Sequence, residues 1–422
     1  MNVVIIGGGV IGLSVAESLA RRGAEPVVVE AGGWGEGASA GNAGWISPGL
    51  SNPVPAPGVM AQALRWMPNP RSPLLVRPAP RLDFLRWSWD FWRSTRPDRY
   101  GAGMAALTTI GARVLSDYDR LREAGVEMEI HATGLLFIGR TEAGVRHEVA
   151  VLRDAQALGY LGEIREMTRE ETLEHDPALS GERMAGSVLA LDERHVRPES
   201  VVRGLVKHLQ DGRADLRSGV SVLKVAPERG RWRVELSDGE ILHTDAVVVA
   251  AGWQSSELLE PLGVRVPLEG GKGYSVTVPA LELQPKGAMY LLEDRVAVTP
   301  FDGALRLAGT MELGTTNPRV SQQRVAAIVN AGSKALKAWD GKDAQTWAGF
   351  RPMLPDGLPA LGPVPGYPGL HIATGHAMLG VTLGPTTGEL VAPSVLDGRP
   401  RPELAPFSLA RFGNRARLRA AA

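Results

Sequence analysis

The chain reads as an α/β protein: a Rossmann-like nucleotide-binding domain assembled from separated segments, joined to an α+β domain with a mostly antiparallel sheet. Three stretches carry that reading. At the N-terminus the β-branched run Val3, Val4, Ile5, Ile6 ends in Gly7, Gly8, Gly9, followed by a helical pattern from about Val10 to Arg22 and a second strand, Pro26 to Glu30. Near the middle, Ala246 to Ala251 is wholly apolar and ends at Gly252 and Trp253, as a buried parallel strand does at the ligand-binding edge of such sheets. Between Val266 and Ala338 short alternating strands replace the helices.

In the first stretch Gly7 permits the tight turn, Gly9 lets backbone approach a pyrophosphate and Gly12 lets the helix pack against the strand. The helix start offers unpaired N–H groups and its positive dipole end to phosphates. Glu30 is placed to accept from ribose hydroxyls. From Gly32 to Trp45 small residues crowd together, with no charge after Glu36, which suits a backbone lying against a flat ligand. Nine prolines between Pro48 and Pro80 predict a long irregular segment, a lid or ligand wall.

Phe84 to Trp92 holds Trp87, Trp89 and Trp92 beside Arg86 and Arg93, which fits either an aromatic face packed on the core or a segment at a membrane interface. Met104 to Leu121 has the spacing of one long amphipathic helix ended by Gly125, followed by a strand at Gly134 to Ile138 and a helix at Arg146 to Leu158. Pro198 opens a helix with one apolar face through Leu209. Strands follow at Val220 to Val225, Trp232 to Leu236 and Glu240 to Thr244, then at Tyr274 to Val278, Ala288 to Leu292, Val296 to Pro300 and Leu305 to Leu307. Val320 to Leu336 is helical. Leu370 to Ala373 is a strand leading through Gly375 and His376 into a last helix, whose N-terminus is a second anion or carbonyl position.

Composition excludes several classes. Lys plus Arg equals Asp plus Glu at 46 each, so bulk electrostatics give no reason to expect nucleic acid. The absence of cysteine removes disulfides, thiolate-held clusters and a thiol nucleophile. The eight histidines are scattered without metal-ligand spacing, so no metal is expected. With no signal pattern and no long apolar run, a cytoplasmic location is expected, with peripheral contact at the inner membrane open. Arg411, Arg415, Arg417 and Arg419 form a basic tail, either a solvated end or a contact for anionic lipid.

The segments GNAGWISPG from Gly41, KGYSVTVP from Lys272, FRPMLPDGLPALG from Phe350 and TGHAMLGVTLGPTTGEL from Thr374 resemble the FAD-dependent D-amino acid oxidase superfamily, and within it the bacterial D-amino acid dehydrogenase branch. The resemblance covers nearly the whole chain. It implies FAD as cofactor, an amino or imino acid as substrate, oxidative deamination to a 2-oxo acid and ammonia, and electrons passed to a quinone or to oxygen. The alternative it implies is an oxidase of glycine, sarcosine or a cyclic secondary amine such as D-proline or hydroxyproline, using oxygen. The implied division is 1–60, 186–268 and 346–422 for the FAD domain, with 61–185 and 269–345 for the substrate domain.

The cofactor contacts expected are Gly7, Gly9, Val10, Ile11, Gly12, Glu30 and Ala31 at the first turn. Ala38, Ser39, Asn42, Ala43, Gly44, Trp45 and Ile46 lie in the following loop, and Val220, Ala251 and Gly252 mid-chain. Gly349, Gly375, Met378, Leu379, Gly380, Val381 and Thr382 complete the set. Arg351 corresponds to an arginine that grips the substrate carboxylate, or is a structural ion pair. His376 either lines the flavin or packs. Tyr274 either donates to the substrate carboxylate or belongs to the core. A tyrosine that the glycine oxidase branch places beside the carboxylate falls at Ala297, leaving Asn52, Met289 and Tyr290 as substitutes.

Overall fold

A computed structural model describes residues 1–66, 72–77, 79–339 and 341–413. Arg415, Arg417 and Arg419 lie outside the described residues.

The continuous apolar runs form the centre of a six-stranded sheet. Its order is Asp215–Ser218, Glu25–Glu30, Asn2–Ile6, Ala246–Val249, Leu370–Thr374, Ala360–Pro363. The first five strands are parallel and the last pairs antiparallel. Val3 to Ile6 and Ala246 to Val249 are buried on both faces, which is why both runs lack polar alternation. The helices Val10–Arg21, Pro198–Gln210 and Gly380–Asp397 bring Leu13, Leu205 and Val391 into one core with Val3 and Val248. Glu389 anchors the last helix to the first: burial works against its charge, but Arg22, Arg120 and Arg21 hold the carboxyl down to about 2.

A nine-stranded, mainly antiparallel sheet forms the second layer. Its path is Gln345–Met353, Glu269–Pro279, Ala304–Leu313, Val296–Phe301, Ala288–Leu291, Leu135–Gly139, Gly186–Ala190, Ile164–Thr168, with Leu74–Val76 beside Ala304–Leu313. Helix Gln322–Ala335 covers one face through Val325 and Ile328. Gly186–Ala190 and Gln345–Met353 both pair within this sheet.

Two local expectations are corrected. The proline-rich segment contains helix Val59–Trp66 and strand Leu74–Val76, because its prolines are clustered and none lies between 58 and 67. The long helix expected over 104–121 is two, Pro97–Gly111 and Val114–Glu123, broken at Ala112 and Arg113 although the apolar period runs on. The tryptophan segment is helix Leu82–Ser94, and its two readings divide by face: Phe84 and Trp87 are buried, while Leu82, Leu85, Trp89 and Trp92 stand in solvent.

Candidate active site

A groove of about 560 Å³ runs along the carboxyl edge of the small sheet. It is lined from Gly7, Gly9, Val10 and Ile11 past Glu30, Ala31, Ala38, Ser39 and Asn42 to Ala251, Gly252, Gly349, His376, Gly380 and Val381. Gly7 has φ 116°, a backbone that side chains oppose, and a Cβ at Gly12 would stand 1.9 Å from the Gly7 carbonyl. The turn is therefore as tight as glycine allows, and it leaves the first-turn amides of Val10–Arg21 without partners inside the helix. Ser39 Oγ accepts from Val10 N at 3.1 Å. Glu30 accepts from Gly8 N at 2.6 Å and from Gly32 N at 2.9 Å, so its carboxylate braces the turn while keeping lone pairs on the groove side.

Other expected contacts lie behind this lining. Val220 donates its amide to Glu30 O, and Ser221 to Leu223 line the groove instead. Ile46 is core. Trp45 donates Nε1 to Thr299 Oγ1 and accepts at its carbonyl from Thr382 Oγ1. Asn42 ties the loop together, donating to Met378 O and accepting from Gly44 N. Ala43, Gly44, Gly375, Met378, Leu379 and Thr382 thus shape the loop and turn from outside the groove lining.

Three positions carried no sequence signal for the site. Arg306, buried in the large sheet, donates to Ala40 O at 2.9 Å and Asn42 O at 3.0 Å, fixing the loop to the second layer. Trp347 lines the groove, and its ring covers Gly41 and Gly349. Glu193 accepts from Gly49 N and the Tyr160 hydroxyl at 3.0 and 2.7 Å, holding the segment after the loop. These partners are 144 and 33 residues away, beyond any local pattern.

Burial pushes the Glu193 carboxyl up to about 7. Its proton therefore binds the folded chain more tightly than the unfolded one, so the protonated group's contribution is full below about pH 4.5 and lost as pH rises through 7. Relative to a Glu193→Gln variant, the protein is expected to lose up to about 3 kcal/mol of stability across that window. Denaturant melts at pH 5 and pH 8 measure this, and parallel slopes for the two proteins would remove it.

Arg351 projects from Gln345–Met353 across its neighbour strand, where Gly273 makes the room: a Cβ there would stand 2.1 Å from Arg351 Nη1. Its Nη1 donates to Thr310 O at 3.3 Å, and no described carboxylate forms an ion pair with it. Burial lowers the guanidinium to about 10, so it stays charged at neutral pH. Tyr274 takes the core alternative. It is fully buried with Val276 and Ile328 on the face away from Gly273, as the alternation Tyr274, Val276, Val278 itself implies. His376 both lines the groove and packs. Its Nε2 lies 3.0 Å from Thr387 Oγ1, and burial pushes the imidazole down to about 3, so it is neutral.

A more open hollow of about 860 Å³ between Trp34, Glu199 and Lys207 shares Gly35 and Glu36 with the groove but none of the glycine turn. Glu129, His131 and Asp302 bring ligand-type atoms within 4.8 Å of one another. Glu129 is already engaged by Arg197 and by Asp302 N, which makes the trio an ion-pair cluster.

A parallel sheet with a glycine turn at its carboxyl edge, roofed by an antiparallel sheet presenting an arginine with no ion pair among the described residues, has the two-layer form of a dinucleotide-dependent oxidoreductase. The family described as DAO, FAD dependent oxidoreductase, matches residues 2–393, and the chain belongs to it. The chain is 29% identical over 430 aligned residues to the D-amino acid dehydrogenase of Bradyrhizobium diazoefficiens, covering 98% of this chain and 100% of that one. It is 29% identical to the D-amino acid dehydrogenase of Vibrio vulnificus, with 98% and 100% covered. Among solved structures it resembles glycine oxidase from Geobacillus kaustophilus, with TM-score 0.75, 25% identity, and 97% and 98% of the two chains covered. L-proline dehydrogenase from P. horikoshii shares the fold at TM-score 0.76 and 19% identity over 98% and 97%. The cofactor is FAD, and the groove fits it: the glycine turn and helix start suit the pyrophosphate, and the small residues around Ser39 let backbone lie close to a flat ligand.

Proposed function

We propose that the chain oxidises D-amino acids at the Cα–N bond, releasing an imino acid that water converts to a 2-oxo acid and ammonia. The observation that carries this is Arg351, a half-buried guanidinium with no described carboxylate partner, on the sheet that roofs the groove. A fork of fixed N–H donors suits an α-carboxylate. The names of the relatives agree with it.

Bound FAD supplies the acceptor for the two electrons and the Cα hydrogen. The protein's own part is orientation. Arg351 fixes the carboxylate, Thr310 O fixes Arg351, and Arg306 keeps the loop at Ala40 and Asn42 in register with the sheet. His376 is a neutral wall and exchanges no proton near pH 7. The electrons leave to an external acceptor, a quinone or a carrier. Similarity to glycine oxidase favours a second reading, an oxidase of glycine, sarcosine or a cyclic secondary amine that uses oxygen.

Anaerobic mixing with a D-amino acid panel is expected to bleach the flavin absorbance within seconds. Repeating turnover with oxygen and with a quinone analogue separates the two readings. If neither a D-amino acid nor a secondary amine reduces the protein, both fail.

Peripheral membrane contact fits the acceptor. No described helix is long and apolar enough to cross a membrane. Helix Leu82–Ser94 instead exposes Leu82, Leu85, Trp89 and Trp92 at 72%, 56%, 59% and 49%, with Arg86 and Arg93 on the same helix. Trp89→Ala combined with Trp92→Ala is expected to reduce co-sedimentation with anionic vesicles at least tenfold without changing flavin content. Equal binding by both proteins would exclude this surface.

A further inference from the structure

Cross-strand partners form one row over five strands of the large sheet. Tyr290 faces Ala297, Ala297 faces Ala308, Ala308 faces Ser275 and Ser275 faces Trp347. Opposed residues share a face, so the row has an aromatic ring at each end and three small side chains between them. This is the face that carries Thr299 and Arg306, which bind the loop at Trp45, Ala40 and Asn42. The Tyr290 ring meets Trp45 edge-on, with centroids 5.4 Å apart. The phenol thus stands one strand across from Ala297, on the cofactor side of the sheet.

Two cations flank that phenol. It lies in the field of both Arg295 and Arg351. Arg295 closes the turn before Val296–Phe301 with φ 53°, and Thr310, whose carbonyl holds Arg351, has φ 57°. Side-chain-bearing residues seldom adopt that backbone, and here it occurs beside both guanidiniums. Among the described residues neither arginine forms an ion pair. The carboxylates nearest in charge to Arg295 are Glu148 and Glu293. Glu293 is committed to the Arg140 and Thr141 amides. Glu148 is buried with Oε1 lacking any hydrogen-bond partner, and burial pushes its carboxyl up to about 7, so at neutral pH it offsets Arg295 only in part. Among the described residues the pair of guanidiniums therefore lacks a full counter-charge.

We propose that Tyr290 and Arg295 form the subsite for the substrate's side chain, and that it selects amino acids carrying a second carboxylate. Arg351 takes the α-carboxylate, and Arg295 with the Tyr290 hydroxyl takes the distal one. This rests on the amino acid reading above and narrows it to acidic D-amino acids. The three small side chains beside Tyr290 leave the floor flat, so selection comes from charge at one end of the row.

The test uses the flavin-loaded protein and two ligands that cannot be oxidised at a Cα–N bond, glutarate and butyrate, with binding read from the flavin spectrum and by calorimetry. Glutarate is expected to bind at least tenfold more tightly than butyrate, and Arg295→Met to reduce that ratio to less than threefold. Arg295→Lys, which keeps the charge but loses the fork, should give an intermediate ratio. Wild-type protein that binds the two ligands equally overturns the proposal without any variant, and so does an Arg295→Met protein with the ratio unchanged. D-glutamate and D-norvaline as substrates separate the two levels of the argument. Reduction by both with no preference for D-glutamate overturns this inference alone, whereas reduction by no amino acid overturns the proposed function with it.

Discussion

Arg351→Ala is expected to lower kcat/KM for any carboxylate-bearing substrate by about three orders of magnitude, equivalent to about 4 kcal/mol of lost transition-state binding. The size follows from the surroundings: the guanidinium is half-buried and desolvated enough for its pKa to fall, makes one long bond to Thr310 O and has no described ion-pair partner, so the ligand is its main counter-charge. Flavin content should be unaffected, because Arg351 is not part of the groove lining. Arg351→Lys should recover only a small part of the loss, since a single ammonium cannot reproduce two parallel N–H bonds. Steady-state kinetics with flavin absorbance as the loading control decide the matter. An Arg351→Ala protein with unchanged KM and kcat would place the carboxylate elsewhere.

Gly12→Val is expected to abolish cofactor binding. Even the first carbon of a side chain would stand 1.9 Å from the Gly7 carbonyl oxygen, a backbone atom with no flexible side chain to yield. The strand and helix must then separate, which spoils the turn meant for the pyrophosphate and removes core contact at Leu13 and Val3. The variant should be isolated colourless, with its affinity for added FAD weaker by at least a hundredfold. Melting both proteins without FAD separates a damaged turn from general unfolding. A yellow Gly12→Val protein of normal affinity would mean the turn is not the phosphate site.

How much of this was legible in the chain depends on range. The N-terminal strand, turn, helix and strand are encoded within thirty residues, and each residue type has a local reason, so the expected helix, Val10 to Arg22, and the observed one, Val10–Arg21, nearly coincide. Local order also misleads. The apolar spacing from Met104 to Leu121 continues across a break, because both helices bury their stripes against the same core. Tyr274 was legible in principle, since it alternates with Val276 and Val278 on the apolar face, but its place in a recognisable segment suggested a role at the ligand. Glu193, Arg295, Arg306 and Trp347 were not legible. Their significance lies in partners brought close by sheet pairing, as when Arg306 meets Ala40 and Asn42 across 266 and 264 residues.

The strand order of the small sheet has a consequence for biosynthesis. Asn2–Ile6 is made long before one of its hydrogen-bonded neighbours, Ala246–Val249, and the strand beyond that, Leu370–Thr374, which come hundreds of residues later. Until they arrive, one edge of the earliest strand has no mate, and the C-terminal helix that buries Val391 beside Val3 does not yet exist. FAD uptake must therefore wait until Leu370–Thr374 and the helix after it have been made, and a nascent chain stalled before residue 370 should stay colourless.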